Sequence, residues 1–350
     1  LPQIDRWIGP ISVADIRPIT PEDLLGRRVA AIDTRAIADY VTGRRVLVTG
    51  AGGSIGSELC RQLHAVGPAE LLLLDRDENG LHATQLSIDG SASLTSPPLV
   101  LADIRDPQRL DDVFGLLRPE IVFHAAALKH LPILDASPSE GWKTNVLGTL
   151  HLLETASRYG VERFVNISTD KAANPAGVLG WTKRITERLT ADFGGRTDVH
   201  CVSVRFGNVL GSAGSVMKVF EAQAAAGRPI TVTDPDMTRY FMTVGEAARL
   251  VIQAGAIGDS GEVLILDMGE PIRILDVAER FAAQHDPPLE VVYTGRRGNE
   301  KLHEELFGEG ETGERRRHRS ITHVRVDPLP RERVARAPLP HDLAGIRRCE

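Results

Sequence analysis

A run of glycines between a predicted strand and a predicted helix is the first feature of this sequence that could bind a ligand. Residues 45–49 form a short apolar run, and a helical pattern of apolar residues follows the glycines. The first glycine permits a tight turn, a later one lets the backbone approach a pyrophosphate, and the last lets helix and strand pack closely. The free N–H groups at the helix start favour phosphate oxygens. The predicted dinucleotide contacts here are Gly50, Gly53, Ser54, Ile55 and Gly56.

Residues that follow the next strands would complete this dinucleotide site. Asp75 ends the second predicted strand, where a carboxylate usually binds the adenosine ribose and favours NAD. Arg76 could instead pair with the 2′-phosphate of NADP, so both cofactors stay open and NAD is favoured. Asp103, with Ile104 beside it, is expected either to contact the adenine or to cap the following helix. Two small residues after the fourth strand let the nicotinamide ribose approach the backbone, and these are Ala125 and Ala126.

The end of the fifth predicted strand carries the residues best suited to proton transfer. Thr169, Asp170 and Lys171 follow this strand, and Lys183 lies on the next predicted helix. A carboxylate and an amine side by side can act as the acid and the base of one reaction. A surface ion pair without catalytic function is the alternative interpretation of Asp170 and Lys171.

The elements that position these residues alternate between strand and helix. Apolar runs at 45–49, 71–74, 98–102, 121–123 and 163–167 alternate with helical patterns such as 106–117 and 142–159. The alternation predicts an α/β fold with a Rossmann-type, doubly wound parallel sheet, whose ligands bind beyond the carboxyl ends of the strands. The expected organisation is a lead-in segment at 1–44, a dinucleotide-binding Rossmann domain at 45–206, a smaller substrate-binding portion at 207–307 and a basic, partly disordered tail at 308–350.

Composition narrows the class of protein. The chain has 350 residues, of which 42% are hydrophobic and 25% charged, as in ordinary soluble proteins. A net charge of −6 argues against a dedicated nucleic-acid binder. The three cysteines form no C-x-x-C pair, so we expect no metal site and a reducing, cytoplasmic compartment. The first residue is Leu1, which suggests a fragment of a longer protein.

The sequence motifs around the fifth predicted strand resemble those of the extended short-chain dehydrogenase/reductase family. Residues 168–175 read Ser-Thr-Asp-Lys-Ala-Ala-Asn-Pro, and Lys183 takes the lysine position of that family's Tyr-x-x-x-Lys motif. The resemblance implies that Lys183 binds the nicotinamide ribose. Leu179 occupies the tyrosine position, and since leucine cannot transfer a proton, ordinary tyrosine-based chemistry is excluded.

Four sequence motifs narrow the resemblance to the polysaccharide-biosynthesis (CapD-like) nucleotide-sugar 4,6-dehydratases. They lie at 168–175, 205–212, 238–243 and 298–306, within a similarity that runs from about residue 10 to 307. The bacterial, membrane-associated subgroup, in which Met replaces the tyrosine, is most similar. In that subgroup membrane helices precede the catalytic domain, which implies membrane association through a region outside this chain. The sequence departs from the subgroup at Leu179, Trp181 and Asn299.

This resemblance implies UDP-N-acetylglucosamine as substrate and a recycled NAD as cofactor. The sugar is oxidised at C4, water is eliminated across C5 and C6, and hydride returns to C6. We assign Lys171 as the base at C5, Asp170 as the general acid for the C6 hydroxyl, and Thr169 as a hydrogen-bond donor to the C4 oxygen. Burial near Lys183 and the nicotinamide is expected to lower the pKa of Lys171. The acceptor of the C4 hydroxyl proton stays open between Asp170, Lys171 and a water relayed toward Lys183.

Residues in and around these four sequence motifs are predicted to bind the UDP-sugar, although each polar residue alone could be a solvated side chain. Arg239 and Asn208 are the strongest of these predictions, and Arg205 is a further one. Asn145 is also expected to hold a local irregularity in its helix. The predicted substrate contacts are Lys129, His130, Asn145, Asn208, Val209, Ser215, Lys218, Arg239, Arg297, Glu300 and Lys301.

Two other functions remain open from the sequence. A UDP-sugar epimerase shares the first hydride transfer, but Asp170 and Lys171 favour elimination. A catalytically weak NAD and UDP-sugar binding regulator is the other alternative, because Leu179 and Trp181 could crowd the site. We expect a homo-oligomer, and the subgroup suggests retention at C5.

Overall fold

The computed structural model describes residues 32–90, 98–212, 214–296 and 298–350. Its strands and helices follow the predicted alternation. The strands are β1 (Arg45–Thr49), β2 (Glu70–Asp75), β3 (Leu99–Leu101), β4 (Ile121–His124), β5 (Arg163–Ile167), β6 (His200–Arg205), β7 (Asn208–Leu210), β8 (Ile230–Val232), β9 (Thr238–Arg239), β10 (Phe241–Thr243), β11 (Glu262–Leu266), β12 (Ile272–Arg273), β13 (Val291–Tyr293), β14 (Gly313–His318) and β15 (Ile321–Arg325).

The helices cover both faces of the sheet and build the smaller portion. A π-helix (Trp142–Leu147) precedes one of them, and a 3₁₀ turn (Asp170–Ala172) follows β5. The α-helices are α1 (Thr34–Val41), α2 (Ser54–Val66), α3 (Glu78–Asp89), α4 (Pro107–Leu117), α5 (Leu131–Ala136), α6 (Pro138–Gly141), α7 (Gly148–Arg158), α8 (Val178–Arg196), α9 (Val216–Ala225), α10 (Val244–Ile257), α11 (Ile274–Ala282), α12 (Arg331–Ala335) and α13 (Leu343–Arg347).

Nine strands of the described residues form one central sheet in the order β14-β15-β11-β6-β5-β4-β1-β2-β3. The pairs from β3 to β11 are parallel, whereas β15 runs antiparallel to both β11 and β14. The chain order reverses direction between β1 and β4, and this reversal opens a crevice at the carboxyl ends of the strands. The predicted doubly wound Rossmann-type sheet is confirmed.

Alternating side chains of the strands divide the core into two layers. Val46 and Val48 of β1 belong to the layer formed with α2 and α10, while Leu47 belongs to the layer on the opposite face. All three side chains are completely buried. Burial on both faces explains why the parallel strands are continuous apolar runs in the sequence.

The segment predicted as a partly disordered tail is folded, and that prediction was wrong. β14 and β15 extend the central sheet, and Leu329, Val334 and Ile346 are buried against the layer that contains α8. Three consecutive arginines, Arg315 to Arg317, lie on the outermost strand, where an exposed edge carries charge. Their charge made an edge strand look like a solvated terminus.

Two further sequence predictions differ from the structure. Residues 142–159 were predicted as one long helix, but a π-helix occupies its first part and α7 begins at Gly148. Within the predicted lead-in segment, α1 packs on α10, and the Tyr40 hydroxyl donates a 3.2 Å hydrogen bond to the carbonyl of Ile252. Residues 1–31 of that segment lie outside the described residues.

Among the described residues, three small two-stranded sheets build the portion that follows the central domain. β7 pairs with β10, β9 with β12, and β8 with β13. No helix in the described parts of the chain has the length and apolarity needed to cross a membrane. Within the same residues, no cluster of His, Cys, Asp and Glu side chains is arranged to hold a metal ion.

Candidate active site

A cavity of about 620 Å³ lies where the carboxyl ends of the central strands meet the small sheets. The glycine turn after β1 and the segment after β5 form one side, and residues from β7, β9 and the loop before β14 form the other. The predicted dinucleotide-binding residues and the predicted proton-transfer residues therefore face the same cavity. The polar and charged side chains that line it are Ser54, Lys129, His130, Ser168, Thr169, Lys171, Lys183, Asn208, Ser212, Ser215, Arg239, Asn299, Glu300, Lys301 and Glu304.

The glycine turn has no space for side chains. Gly50 has a φ of +69°, and a Cβ there would lie 2.6 Å from the backbone nitrogen of Ala126. A Cβ on Gly56 would overlap the carbonyl oxygen of Gly50. The turn therefore brings bare backbone to the cavity at the first turn of α2, as a dinucleotide phosphate site requires.

Asp75 supports this turn from the end of β2. Its Oδ2 accepts a 2.9 Å hydrogen bond from the backbone of Gly52, and its Oδ1 accepts one from Asp77. Arg76 lies 3.7 Å from Asp103, so a carboxylate already faces the guanidinium that was considered for a 2′-phosphate.

Asp103 and Ile104 lie outside the main cavity. Asp103 binds Arg105 through both oxygens and borders a separate groove of about 400 Å³. Ile104 is buried in the core against α7, so its predicted cofactor contact is not supported. The helix cap considered for Asp103 is instead supplied by Asp106, which accepts from the backbone of Arg109.

Asp170 is completely buried behind the cavity surface rather than in it. Its backbone N–H donates to the carbonyl of Phe206, and its Oδ1 accepts hydrogen bonds of 3.0 Å from both the Thr169 hydroxyl and the Lys171 amine. Its Oδ2 has no hydrogen-bond partner among the described residues. Asp170 therefore holds the two neighbours that do line the cavity, Thr169 and Lys171.

Lys171 is surrounded by three oxygen acceptors. Its Nζ lies 3.0 Å from Asp170 Oδ1, 3.1 Å from Asn208 Oδ1 and 3.3 Å from Glu304 Oε1. Burial alone lowers the pKa of Lys171, but the charges of Asp170 and Glu304 outweigh burial and raise this pKa above its usual value. The expected lowering of this pKa was wrong, because the nearest charges are carboxylates rather than Lys183.

Lys183 lies on the cavity side of α8, as predicted. Burial lowers the pKa of its amine to about 8, against the opposing charge of Glu187 one turn further on. Leu179, at the tyrosine position, also lines the cavity and is 6% exposed. Trp181 faces the other side of the helix, where Arg347 stacks 5.2 Å from its ring centre, so it does not crowd the site.

Most of the predicted substrate contacts share the cavity. Arg239 is nearly buried, and its guanidinium donates to the carbonyls of Thr238, Lys301 and Leu302. It thereby fixes the segment that brings further polar residues to the cavity. The predicted contacts found in the lining are Lys129, His130, Asn208, Val209, Ser215, Arg239, Glu300 and Lys301.

Three predicted contacts lie elsewhere. Asn145 is buried in the π-helix and uses its amide on the backbone of Leu128 and the hydroxyl of Thr182, so it holds the loop after β4 rather than a ligand. Lys218 lies on an exposed helix face and pairs with Glu221. Arg205 is fully buried between two carboxylates, which are Glu187 and Glu311. Arg297 lies outside the described residues.

Two residues of the site were missed by sequence reasoning. Glu304 is part of the sequence motif at 298–306, yet only the fold brings its carboxylate to Lys171. Asp135 accepts the backbone N–H of Val178 at the start of α8 and also binds Asn299. Asn299, at which the sequence departs from the subgroup, thus connects the small portion to the start of α8 through Asp135.

This arrangement belongs to a recognised family of proteins. A family model described as "Polysaccharide biosynthesis protein" matches residues 46–326, which is most of the chain. The chain belongs to the polysaccharide biosynthesis protein family. The match includes β1 and the glycine turn at one end and β15 at the other. The predicted family is confirmed.

Members of the polysaccharide biosynthesis protein family and related solved structures are similar to this chain over most of its length. It is 43% identical over 318 residues to the probable polysaccharide biosynthesis protein EpsC of Bacillus subtilis, covering 89% of this chain and 53% of EpsC. The chain thus spans about half the length of that relative. It is 30% identical to a UDP-N-acetylglucosamine 4,6-dehydratase (inverting) of Campylobacter jejuni, covering 75% of this chain and 77% of that enzyme. The Thermus thermophilus UDP-glucose 4-epimerase in complex with NAD matches with a TM-score of 0.65 and 25% identity, covering 75% and 90% of the two chains.

Proposed function

We propose that this protein is a nucleotide-sugar 4,6-dehydratase that converts UDP-N-acetylglucosamine to the 4-keto-6-deoxy sugar. The observation that carries the proposal is the buried proton-binding centre around Lys171, at the edge of a cavity that also contains the glycine turn and Lys183. An amine beside carboxylates can remove one proton and supply another, as loss of water requires. The similarity to the Campylobacter jejuni dehydratase supports this reaction.

The glycine turn fits the phosphates of a nicotinamide dinucleotide, for which NAD is the proposed form. Gly50, Gly53 and Gly56 leave the backbone open to the cavity, and Asp75 holds the turn in place. Lys183 lines the same cavity and is proposed to hold the nicotinamide ribose. When bound, NAD supplies reversible oxidation of the sugar. The residues proposed to hold it also include Ser54, Ile55, Ala125 and Ala126, with Asp103 toward the adenine.

The basic residues of the cavity are proposed to bind the diphosphate of the substrate. Lys129, Arg239 and Lys301 line the cavity from different segments, and positive side chains there match two phosphates. Glu300, His130, Val209 and Ser215 share this wall. Arg239 is nearly buried, so its attraction to a phosphate would be weakly screened by solvent.

The acid–base roles follow from the ion pair at the end of β5. Lys171 is an ammonium at rest, so it removes the C5 proton only after its own proton has moved to a neighbouring carboxylate. Thr169 lines the cavity and is proposed to hydrogen-bond the C4 oxygen. Asp170 stays the proposed acid of the sequence analysis only if its buried side chain turns toward the cavity.

Product analysis tests this proposal. The chain is incubated with UDP-N-acetylglucosamine and NAD, and the product is identified by NMR. A 4-keto-6-deoxy sugar supports the dehydratase, whereas a 4-epimer that keeps its C6 hydroxyl supports an epimerase. Unchanged substrate contradicts both enzymes and supports the binding regulator, although Trp181 does not crowd the cavity as that alternative assumed. A homo-oligomer and membrane association through a region outside this chain stay predictions.

A further inference from the structure

His124 is a completely buried imidazole at the carboxyl end of β4, and the acid–base chemistry proposed above does not use it. Its Nδ1 lies 2.8 Å from the hydroxyl oxygen of Thr49, and its Nε2 lies 2.8 Å from the hydroxyl oxygen of Thr149. Thr49 ends β1 directly before the glycine turn, and Thr149 lies in the first turn of α7. The ring therefore bridges the strand that leads into the glycine turn and the helix that follows the π-helix.

The hydrogen bonds around this ring determine which of its nitrogens carries the hydrogen. The Thr149 hydroxyl donates a 2.6 Å hydrogen bond to the carbonyl of Asn145. A carbonyl oxygen cannot donate and a hydroxyl has one hydrogen, so toward His124 the Thr149 oxygen can only accept. The ring hydrogen therefore lies on Nε2, and Nδ1 accepts from the Thr49 hydroxyl. In the opposite tautomer, Nε2 and the Asn145 carbonyl would compete for a single hydrogen.

The surroundings of the ring keep it neutral. Burial lowers the pKa of His124 to about 3, and the positive charge of Lys183 on α8 acts in the same direction. The aromatic ring of Phe164 on β5 packs at 5.9 Å between ring centres and supplies no counter-charge. A neutral imidazole donates at one nitrogen and accepts at the other, whereas an imidazolium donates at both. An imidazolium would therefore take away the acceptor that the Thr49 hydroxyl uses.

The residues at the two ends of this chain of hydrogen bonds hold the loop that follows β4. On one side, the backbone N–H of Ala125 donates a 3.1 Å hydrogen bond to the carbonyl of Thr49. On the other side, the side-chain amide of Asn145 binds the N–H and the carbonyl of Leu128 at 2.8 and 3.0 Å. Ala125 and Leu128 both line the cavity. The buried ring thus connects the two residues that fix the cavity-facing backbone of this loop.

We propose that His124 is a positioning residue for the dinucleotide, and that it acts as a neutral imidazole with its hydrogen on Nε2. Through Thr49 and Thr149 it fixes the loop after β4 against the glycine turn. This contact is close, since a Cβ on Gly50 would lie 2.6 Å from the backbone nitrogen of Ala126. The inference rests on the proposed function, because the turn is proposed to bind NAD.

Thr149→Val tests the connection between His124 and Asn145. Valine keeps the shape of threonine, but the Nε2 hydrogen loses its acceptor, so NAD affinity is expected to fall roughly fivefold or more in a fluorescence titration. Thr190→Val is the matched control. Thr190 is also buried on a helix and donates at 2.7 Å to the carbonyl four residues earlier, but among the described residues it bonds to no histidine. Its NAD affinity should stay within about twofold of that of the unaltered chain.

Substitutions of His124 itself separate its hydrogen bonds from its volume. Phenylalanine fills the space but can neither donate nor accept, so NAD affinity is expected to fall roughly tenfold or more in His124→Phe. His124→Gln keeps a donor for Thr149 and is expected to lose less. Adding Thr49→Val to His124→Phe removes the hydroxyl that has lost its acceptor, and this double variant should recover part of the lost affinity.

Nitrogen NMR of the imidazole in the protein without ligands tests the tautomer directly. The ring signals of His124 are assigned by their loss in His124→Phe. The hydrogen is expected on Nε2, with no change from about pH 5 to 8, the range in which an ordinary histidine gains or loses its charge. In Thr149→Val the hydroxyl that fixes the tautomer is absent, so the Nδ1–H form should become populated.

The outcomes separate this inference from the proposed function. If the unaltered chain does not bind NAD, the proposed function fails and the role of His124 fails with it. If the chain binds NAD but forms no 4-keto-6-deoxy product, the dehydratase fails and a loss of affinity in Thr149→Val still supports His124.

Three results would overturn the role of His124 alone. The first is NAD affinity within about twofold of the unaltered chain in both Thr149→Val and His124→Phe. The second is an equal loss of affinity in Thr149→Val and Thr190→Val, which would show a general effect of removing a buried hydroxyl. The third is a ring hydrogen on Nδ1, or a ring that becomes charged between about pH 5 and 8.

Discussion

The hydroxyl of Ser168 donates a 2.6 Å hydrogen bond to Oε1 of Glu187. Ser168 lies directly after β5 and before Thr169, and Glu187 lies one turn after Lys183 on α8. Both residues are buried. This bond connects the segment after β5, which contains Lys171, to the helix that contains Lys183, so these two of the cavity lysines share one support.

Arg205 binds the same Glu187, and we predict that loss of Arg205 destabilises the fold. Its guanidinium binds Glu187 and Glu311 at 2.7 Å, and the side chain is completely buried. Arg205→Met would remove the guanidinium from two buried carboxylates and leave Arg184 as their remaining cation, so it is expected to lower the free energy of unfolding by about 3–5 kcal/mol. Chemical denaturation measures this change. Arg273→Met removes an exposed pair with Asp276 and should cost much less stability than Arg205→Met. Equal effects of the two substitutions would contradict the buried network.

The turn around Gly56 is predicted to control cofactor affinity. Gly56→Ala places a methyl group against the carbonyl oxygen of Gly50, so the turn must open and its N–H groups must move. We expect NAD affinity to fall at least about tenfold, which is equivalent to about 1.4 kcal/mol. Fluorescence titration with NAD measures it. Gly195→Ala is the control, because a Cβ at that exposed position meets no atom within 4 Å. Wild-type affinity for NAD in Gly56→Ala would contradict the proposed binding of the cofactor by this turn.

Predictions that depend on a local sequence pattern were confirmed, whereas a prediction that depends on distant partners was wrong. Residues 45–49 and 163–167 match β1 and β5, because each buried strand is a local apolar run that ends at its motif. Arg205 failed as a substrate contact because its partner Glu311 lies 106 residues away. A local pattern contains nothing about which distant carboxylate will face a buried arginine.

The same reasoning applies to the candidate site. Lys171 and Lys183 could be predicted, since both follow the fifth strand in the order that the family motif requires. Glu304 could not be assigned a role, because its loop reaches Lys171 only when the small sheets close over the cavity. The lowered pKa expected for Lys171 failed for this reason, since Glu304 supplies one of the two charges that raise it.

Lys183 is predicted to make stability depend on pH in the alkaline range. Burial lowers the pKa of its amine from 10.5 to about 8 in the folded protein. Between these two pH values the unfolded chain binds the proton and the folded protein does not, so stability rises with pH in this window. Compared with Lys183→Met, the unaltered chain should gain at most about 1.4 kcal/mol for each pH unit from about 8 to 10.5. Denaturation at several pH values measures the difference. A flat difference would show that Lys183 keeps its usual pKa.

Leu179 is predicted to act only as an apolar wall. Its side chain borders the cavity but offers no group that binds a proton. Leu179→Met keeps volume and apolarity, so we expect a stability cost below about 1.5 kcal/mol and kcat within about threefold of the original. Steady-state assays of the dehydratase reaction measure kcat. A loss of more than about tenfold would mean that the branched shape of leucine itself positions the sugar.

The reaction in heavy water tests the central claim most directly. The chain is incubated with UDP-N-acetylglucosamine and NAD in D₂O, and the position of deuterium in the product is determined by NMR. Removal of the C5 proton by the centre at Lys171 and return of a solvent proton predict a 4-keto-6-deoxy product with deuterium at C5. A 4-keto-6-deoxy product without deuterium at C5, or no product at all, would contradict the dehydratase account.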